Sequence, residues 1–443
     1  MKHEQNSFLS NSIITLTRQF ASIVIGFLLL IVVANSLGKE GQGDYTLITY
    51  LPLMVMTFLN LGLNSSTVYF VSKKDISVDT AFSTNIITAV ILSIIGIVSG
   101  YIATVVLAES MYNNVNLVIL QISLFALPGM FLMIFLQTLI QGLQNFKAFN
   151  TALVIQQMST VTFMLLFLLL FDWDLIGAVY AFGLGYIVSV FYMTYFLVVK
   201  VRAKFSVKLF SFNYLKNMLS YGIKAHISNM MTFLNYRQDV FLLGLFSTSA
   251  SVGVYSLAVN LGERLSIFSQ SFSQVLLPKI SSLEVESDRN KITSMVSRFI
   301  LIFITLISIV LFFLSDLIFR LFFPEYPESS LLLKLLLPGL TVLAVEKILS
   351  NDLAGRGKPE INMYVSFFNV GFNIILNLFL IPKYGAVGAA ISSSVTYVFS
   401  FIIKVLVYKH VTKLKVNQFL LVNREDFILV KKLVRKVTSR GTN

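Results

Sequence analysis

The sequence predicts an all-α polytopic membrane protein of about twelve transmembrane helices, arranged as two six-helix bundles related by a parallel pseudo-repeat. Three observations carry that class. The 443-residue chain is 56% hydrophobic and only 12% charged, with 40 Phe and a mean hydropathy of +0.81, far outside the composition of a soluble domain. Apolar windows of about 20 residues recur along the whole chain. Short motifs of the first half return in the second at an offset near 210 positions.

In chain order the windows predict spans over 13–37, 45–70, 81–107, 116–141, 151–171 and 175–199, then 219–246, 252–277, 296–319, 330–350, 362–381 and 385–407. Arg18 interrupts the first apolar run and no small-residue cleavage site follows, so this run is expected to stay as an anchor and not to be removed as a signal peptide. The domain organisation expected is a six-helix bundle over 1–199, a basic cytoplasmic linker over 200–218, a second bundle over 219–408 and a basic cytoplasmic tail over 409–443. The linker "KVRAKFSVKLFSFNYLKN" is amphipathic and is expected on the membrane surface, as is the tail stretch 417–437, which is too charged to span.

Twelve spans put both termini on one side. With that side cytoplasmic, the connecting segments hold 23 Lys and Arg inside against 3 outside, namely Lys39, Arg320 and Lys383, which orients the chain by the positive-inside rule. The net charge of +13 is then explained by topology and by anionic lipid head groups, and nucleic acid is not expected as a partner. The chain has no Cys, and its three His, at positions 3, 226 and 410, are too scattered for a metal site. "GRGKP" (355–359) lacks the spacing of a nucleotide-binding loop. No cofactor or metal is expected. The outward connections are as short as "KEGQGD", "STSAS" and "PKYG", too short to hold an acceptor and a catalytic acid, so a membrane enzyme acting on lipid-linked sugars is disfavoured.

The internal repeat rests on four pairs in register. "GQGDYTLITYL" answers to "SVGVYSLAVNL", with Tyr45 and Tyr255 separated by 210 positions; "LPG" recurs at 127–129 and 337–339; Asn150 matches Asn362; and "GAVYAFGLGY" from Gly177 resembles "GAAISSSVTY" from Gly388. Repeats of this kind are common in transporters.

Together with "DVFLLGLFSTSASVGVYSLAVNL" (239–261), "LAGRGKPEINMY" and "YGAVGAAISSSVTY", these segments resemble polysaccharide-exporting members of the multidrug/oligosaccharidyl-lipid/polysaccharide flippase superfamily, the O-antigen or capsule repeat-unit flippases above all. The resemblance covers all twelve spans. It implies a MATE-like pair of bundles around a central cavity with alternating access. It also implies a cargo of undecaprenyl-diphosphate-linked oligosaccharide, carried across the cytoplasmic (inner) membrane for O-antigen, capsule or exopolysaccharide assembly. An alternative of the same superfamily is a cation-coupled multidrug exporter, coupled to H+ or Na+.

Charge inside apolar spans is where function is expected, because burying an ion in a bilayer costs at least a few kcal/mol. Arg18, Lys224, Arg237, Arg264 and Lys347 are the candidate substrate-path residues, since cations stabilise a diphosphate that leaves water. Arg18, Lys224, Lys334 and Lys347 lie near span ends, where snorkelling competes with such a role. Asp239 and Glu263 are candidates for ion coupling. Arg237 and Glu263 stand 13 residues to either side of the turn near residue 250, so an antiparallel hairpin places them at one depth, and a cluster of Arg237, Asp239, Glu263 and Arg264 is expected. The repeat supplies a control, because the matching first-half positions are Phe27, Leu29, Leu53 and Met54. Asn60, Asn64, Asn229, Asn235 and Gln270 are further candidates for sugar hydroxyls, or for hydrogen bonds between helices.

Overall fold

A computed structural model describes residues 2–112, 115–270, 272, 276, 280, 283 and 285–421; the side chains of 2–16, 108–111, 224 and 225 lie outside that description. The described residues are helical almost throughout and contain no strand, as a bilayer requires of a chain that must satisfy its backbone polar groups within each segment. Among the described residues, seven helices are long and apolar enough to cross a membrane. The exterior is apolar: Val106, Phe191, Phe313 and Phe379 are each more than 65% exposed. Their solvent is lipid.

Helix α1 (Lys2–Leu59) carries the first two predicted spans. A straight helix of that length would run about 87 Å, nearly three times the hydrocarbon core, and the chain breaks it at Gly38, whose φ of 66° and ψ of −176° leave the helical region. Only glycine takes that conformation without strain. The expected loop "KEGQGD" is therefore a kink that resumes as helix. The same device divides α12 (Pro359–Thr412) at Gly385 (φ 55°), three residues after Pro382, so "PKYG" is also a kink. Between them run α2 (Leu63–Ser72), α3 (Val78–Met111), α4 (Leu117–Ser123), α5 (Leu127–Gly142), α6 (Phe146–Met164) and α7 (Asp174–Tyr195). After the linker come α8 (Phe212–Phe246), α9 (Ser249–Gly262), α10 (Glu286–Phe322), α11 (Pro327–Gly355) and a short α13 (Val416–Leu420) at the end of the described chain.

The linker is not helical from Val201 to Ser211, apart from one 3-10 turn at Val207–Leu209, and α8 begins inside the stretch assigned to it. In the tail, helix stops at Leu420 and Leu421 is extended. The remainder of the expected surface helix lies outside the described residues.

The chain packs as two compact units. One comprises 1–261, 316–332 and 374–390; the other comprises 262–315, 333–373 and 391–443. In the first, Val33, Met164, Leu168, Ala178 and Ala181 form a buried cluster. At one end of it, the segment joining α10 to α11 holds α1 beside its break. The buried Tyr326 hydroxyl donates to Ala34 O at 2.9 Å, Asn35 Nδ2 donates to Phe322 O at 2.9 Å, and Lys39 Nζ pairs with Glu328 at 2.8 Å. The second unit is built on Ile300, Ile304, Val345, Ile348, Leu349, Tyr408 and Phe419.

The repeat is visible as contacts. A Cβ on Gly43 would lie 1.8 Å from Ser249 O, and one on Gly253 would lie 2.1 Å from Lys39 O. Each position in the first contact has its partner 210 residues away in the second. Thr46 donates to Ser256 across 3.1 Å at the same offset of 210. This reciprocity is what a pseudo-two-fold relation between the start of the second span and α9 produces. The repeated "LPG" also serves one purpose twice, since a Cβ on Gly129 would meet Tyr186 Cβ at 3.2 Å and one on Gly339 would meet Ser394 Cα at 2.6 Å.

Candidate functional site

Within the first unit the buried chemistry gathers where α8 and α9 meet the second span. Asp239 is 2% exposed. Its Oδ2 accepts a short hydrogen bond from the Tyr255 hydroxyl, and its Oδ1 accepts from the Val240 N–H at 2.8 Å. Tyr255 is completely buried, so it delivers a donor to the carboxylate in a place that water does not reach, which lowers the cost of the charge. The 16-residue separation of the two is spanned by the turn at Ser247, where α8 ends in extended backbone and the chain reverses into α9.

Arg237 lies two residues earlier and is half-buried. Its guanidinium sits 5.2 Å from the Tyr50 ring centroid, and Nη1 donates to Tyr236 O at 3.1 Å. The Tyr50 ring in turn packs on Phe241 at 6.2 Å. A cation over an aromatic face gains an attractive partner without losing its charge to it. Glu263 and Arg264 occupy a single 3-10 turn, Glu263–Leu265, that follows α9; both are half-buried and belong to the second unit. A charge swap, Arg237→Glu with Glu263→Arg, is the test of the expected pairing.

The other candidates are dispersed. Arg18 is half-buried on α1, and its Nε is buried without a hydrogen-bond partner among the described residues. Lys224 lies on α8, with its side chain outside the description. Lys334 sits 5.7 Å from the Phe312 ring centroid. Lys347 is half-buried on α11. Of the polar candidates, Asn60 is buried, while Asn229 and Gln270 are exposed.

Sequence reasoning missed a charged pair in the second unit. Lys404, on α12, is 1% exposed and lies 3.4 Å from Glu346 on α11, with its Nζ also donating to Asn362 Oδ1 at 2.6 Å. The signal was a lone Lys in "FSFIIKVLVY" and a Glu in "LAVEKILS". Only the packing of α11 against the hairpin of α12 joins them. The same hairpin carries further rungs, Asn369 to Ser400 at 2.6 Å and Asn373 to Thr396 at 3.0 Å. A second cluster at the end of α11 ties Asp352 to Arg356 at 2.5 Å and to Thr293 at 2.6 Å.

Long apolar helices, kinked at glycines and carrying buried charge, define this chain as an integral membrane protein. The fold is that of a lipid II flippase in an inward closed conformation, with a TM-score of 0.73 at 17% identity over 97% of this chain and 93% of that one. It is also that of an inward-facing multidrug resistance MATE transporter of the MOP superfamily, with a TM-score of 0.69 at 16% identity over 91% and 98%. The model of the polysaccharide biosynthesis protein family matches residues 8–284, and the chain belongs to that family. Its relatives include an uncharacterized membrane protein of Methanocaldococcus jannaschii, 25% identical over 90% of this chain and 83% of the relative. A probable low-salt glycan biosynthesis flippase of Haloferax volcanii is 25% identical over 43% and 42%. A putative O-antigen transporter of Shigella flexneri is 25% identical over 49% and 51%.

Proposed function

We propose that this protein is a flippase that moves undecaprenyl-diphosphate-linked oligosaccharide across the cytoplasmic membrane by alternating access, for assembly of a surface polysaccharide. Family membership over 8–284 is the observation that carries the reading, and a flippase fold over nearly the whole chain supports it. In this reading the chain is not an enzyme, both termini are cytoplasmic, and two six-helix bundles of twelve spans rock about the reciprocal glycine contact. The diphosphate leaves water beside Arg18, Lys224, Arg237, Arg264 and Lys347, while Asp239 and Glu263 couple movement to H+ or Na+.

Neutralising Arg18, Lys224 or Arg264 singly should make lipid-linked repeat units accumulate on the inner leaflet. A desolvated charge-assisted contact is worth about 1.5–3 kcal/mol, so transport should fall roughly tenfold or more. A deletion strain with normal surface glycan and altered resistance to cationic drugs would replace this reading with the exporter, for which the buried Asp239 is the favouring observation.

A further inference from the structure

The segment between α7 and α8 combines features that the transport reading does not use. Residues 200–217 contain five cations, Lys200, Arg202, Lys204, Lys208 and Lys216, and no acidic residue. All five are exposed. Between them stand large apolar side chains that are also exposed: Phe205 at 50%, Val207 at 70% and Phe212 at 71%. A soluble surface does not collect exposed phenylalanine and valine among lysines. The boundary between hydrocarbon and phosphate does, because there each kind of side chain meets its own solvent.

The backbone of this strap is held in place by protein. Lys204 N donates to Asp79 Oδ1 at 2.9 Å, Ser206 N to Ser83 Oγ at 3.1 Å and Ser211 N to Thr84 Oγ1 at 3.1 Å, all on the first turns of α3. Ala203 is buried, and the Phe205 ring meets Phe82 edge-on at 6.5 Å. Three main-chain donors are therefore satisfied by α3, and the strap's shape needs no ligand to form it. Its place is set by the spans it joins, since the crossing helix Asp174–Lys200 ends where the strap begins. At the same end Lys73 and Lys74, between α2 and α3, are exposed, with one exposed acid, Asp75, beside them.

The strap also leads directly into α8, whose first turns lie against α2. Tyr221 stacks on Tyr69 with ring centroids 4.3 Å apart, Tyr214 meets Phe70 edge-on at 5.9 Å, and a Cβ on Gly62 would fall 2.0 Å from Gly222 O. α8 is the helix that carries Arg237 and Asp239.

We propose that residues 200–216 are a preformed docking surface for anionic phospholipid headgroups at the entry of α8. The cations bind phosphate, and Phe205, Val207 and Phe212 enter the acyl region beside it. The inference needs only that the chain spans a membrane and is independent of what it transports.

The protein has one Trp, Trp173, which makes a site-specific optical test direct. The full chain carrying Trp173→Phe and Phe212→Trp is reconstituted in phosphatidylcholine vesicles that contain a minority of brominated phosphatidylglycerol or, at the same fraction, brominated phosphatidylcholine. Brominated phosphatidylglycerol should quench Trp fluorescence as if enriched about fivefold or more beside the strap, the effect of one well-placed cation. The preference should shrink in high salt and vanish when the five cations are changed to Gln. Equal quenching by the two lipids in the otherwise native chain overturns the proposal whether or not the Gln variant folds. A preference that survives the Gln substitutions moves the anion contact elsewhere and overturns it equally.

Discussion

Gly43→Ala is the most direct perturbation of the pseudo-two-fold contact. The added Cβ would lie 1.8 Å from Ser249 O, whereas ordinary contact begins near 3.4 Å, so the second span and α9 must separate by about 3.4 − 1.8 = 1.6 Å. The obstacle is main chain on both sides and no rotamer change relieves it. One turn further on, the same displacement would stretch the 3.1 Å Thr46–Ser256 bond beyond hydrogen-bonding range. Overpacking of this kind costs about 1–3 kcal/mol and the lost bond about 1 kcal/mol, which predicts about 2–4 kcal/mol in all. Gly253→Ala should cost slightly less, since its separation is about 3.4 − 2.1 = 1.3 Å. Because either substitution opens the same interface, the double mutant should be clearly less destabilised than the sum of the singles. Thermal unfolding of the purified protein in detergent measures all three. Gly371→Ala is the control, since its Cβ would meet nothing within 4 Å, and it should be neutral or stabilising by up to about 1 kcal/mol. A Gly43→Ala protein that melts like the Gly371→Ala protein would refute the close approach and the symmetry read from it.

Tyr255→Phe removes the hydroxyl that donates to buried Asp239 and should cost about 1–3 kcal/mol; an unchanged melting temperature would show that the bond matters little. Lys404→Met strands Glu346 and should cost about 3–5 kcal/mol, while Lys404→Met with Glu346→Leu should recover much of it, the comparison being made by the same unfolding assay. The hydrogen bond and charge of Lys39 hold the Glu328 carboxyl below its ordinary value, against a smaller opposing effect of burial. A depressed folded-state pKa gives stability that is present above the ordinary Glu range and lost as pH falls through it into the depressed value. Glu328 is 58% exposed, so the pair is worth only some tenths of a kcal/mol. The melting difference between wild type and Lys39→Met should therefore be small at neutral pH and vanish as pH falls through and below the ordinary carboxylate range; a difference that does not change with pH would assign the contribution to packing.

Much of this protein is legible along the chain because a bilayer imposes a simple rule. Every crossing segment must satisfy its own backbone and face lipid with apolar side chains, so composition alone decides the all-helical membrane class. The 210-residue register was equally readable, since Tyr45 and Tyr255 lie in segments whose glycines then meet reciprocally. Local patterning could not show that "KEGQGD" and "PKYG" are kinks within helices, because hydropathy drops at a kink as it does at a loop. Nor could it show what the buried charges touch. Asp239 stands out in its span, but the hydroxyl that donates to it is that of Tyr255, an uncharged residue that a search for opposite charges passes over. Lys404, Glu346 and Asn362 are between 16 and 58 positions apart in sequence, and only the fold of α11 against the α12 hairpin brings them together. The chain alone determines which segments enter the membrane, through the cost of exposing polar groups to lipid. Which polar groups meet there is decided by helix packing, because a contact between helices depends on their rotation and register, and these are set by the whole assembly of close approaches.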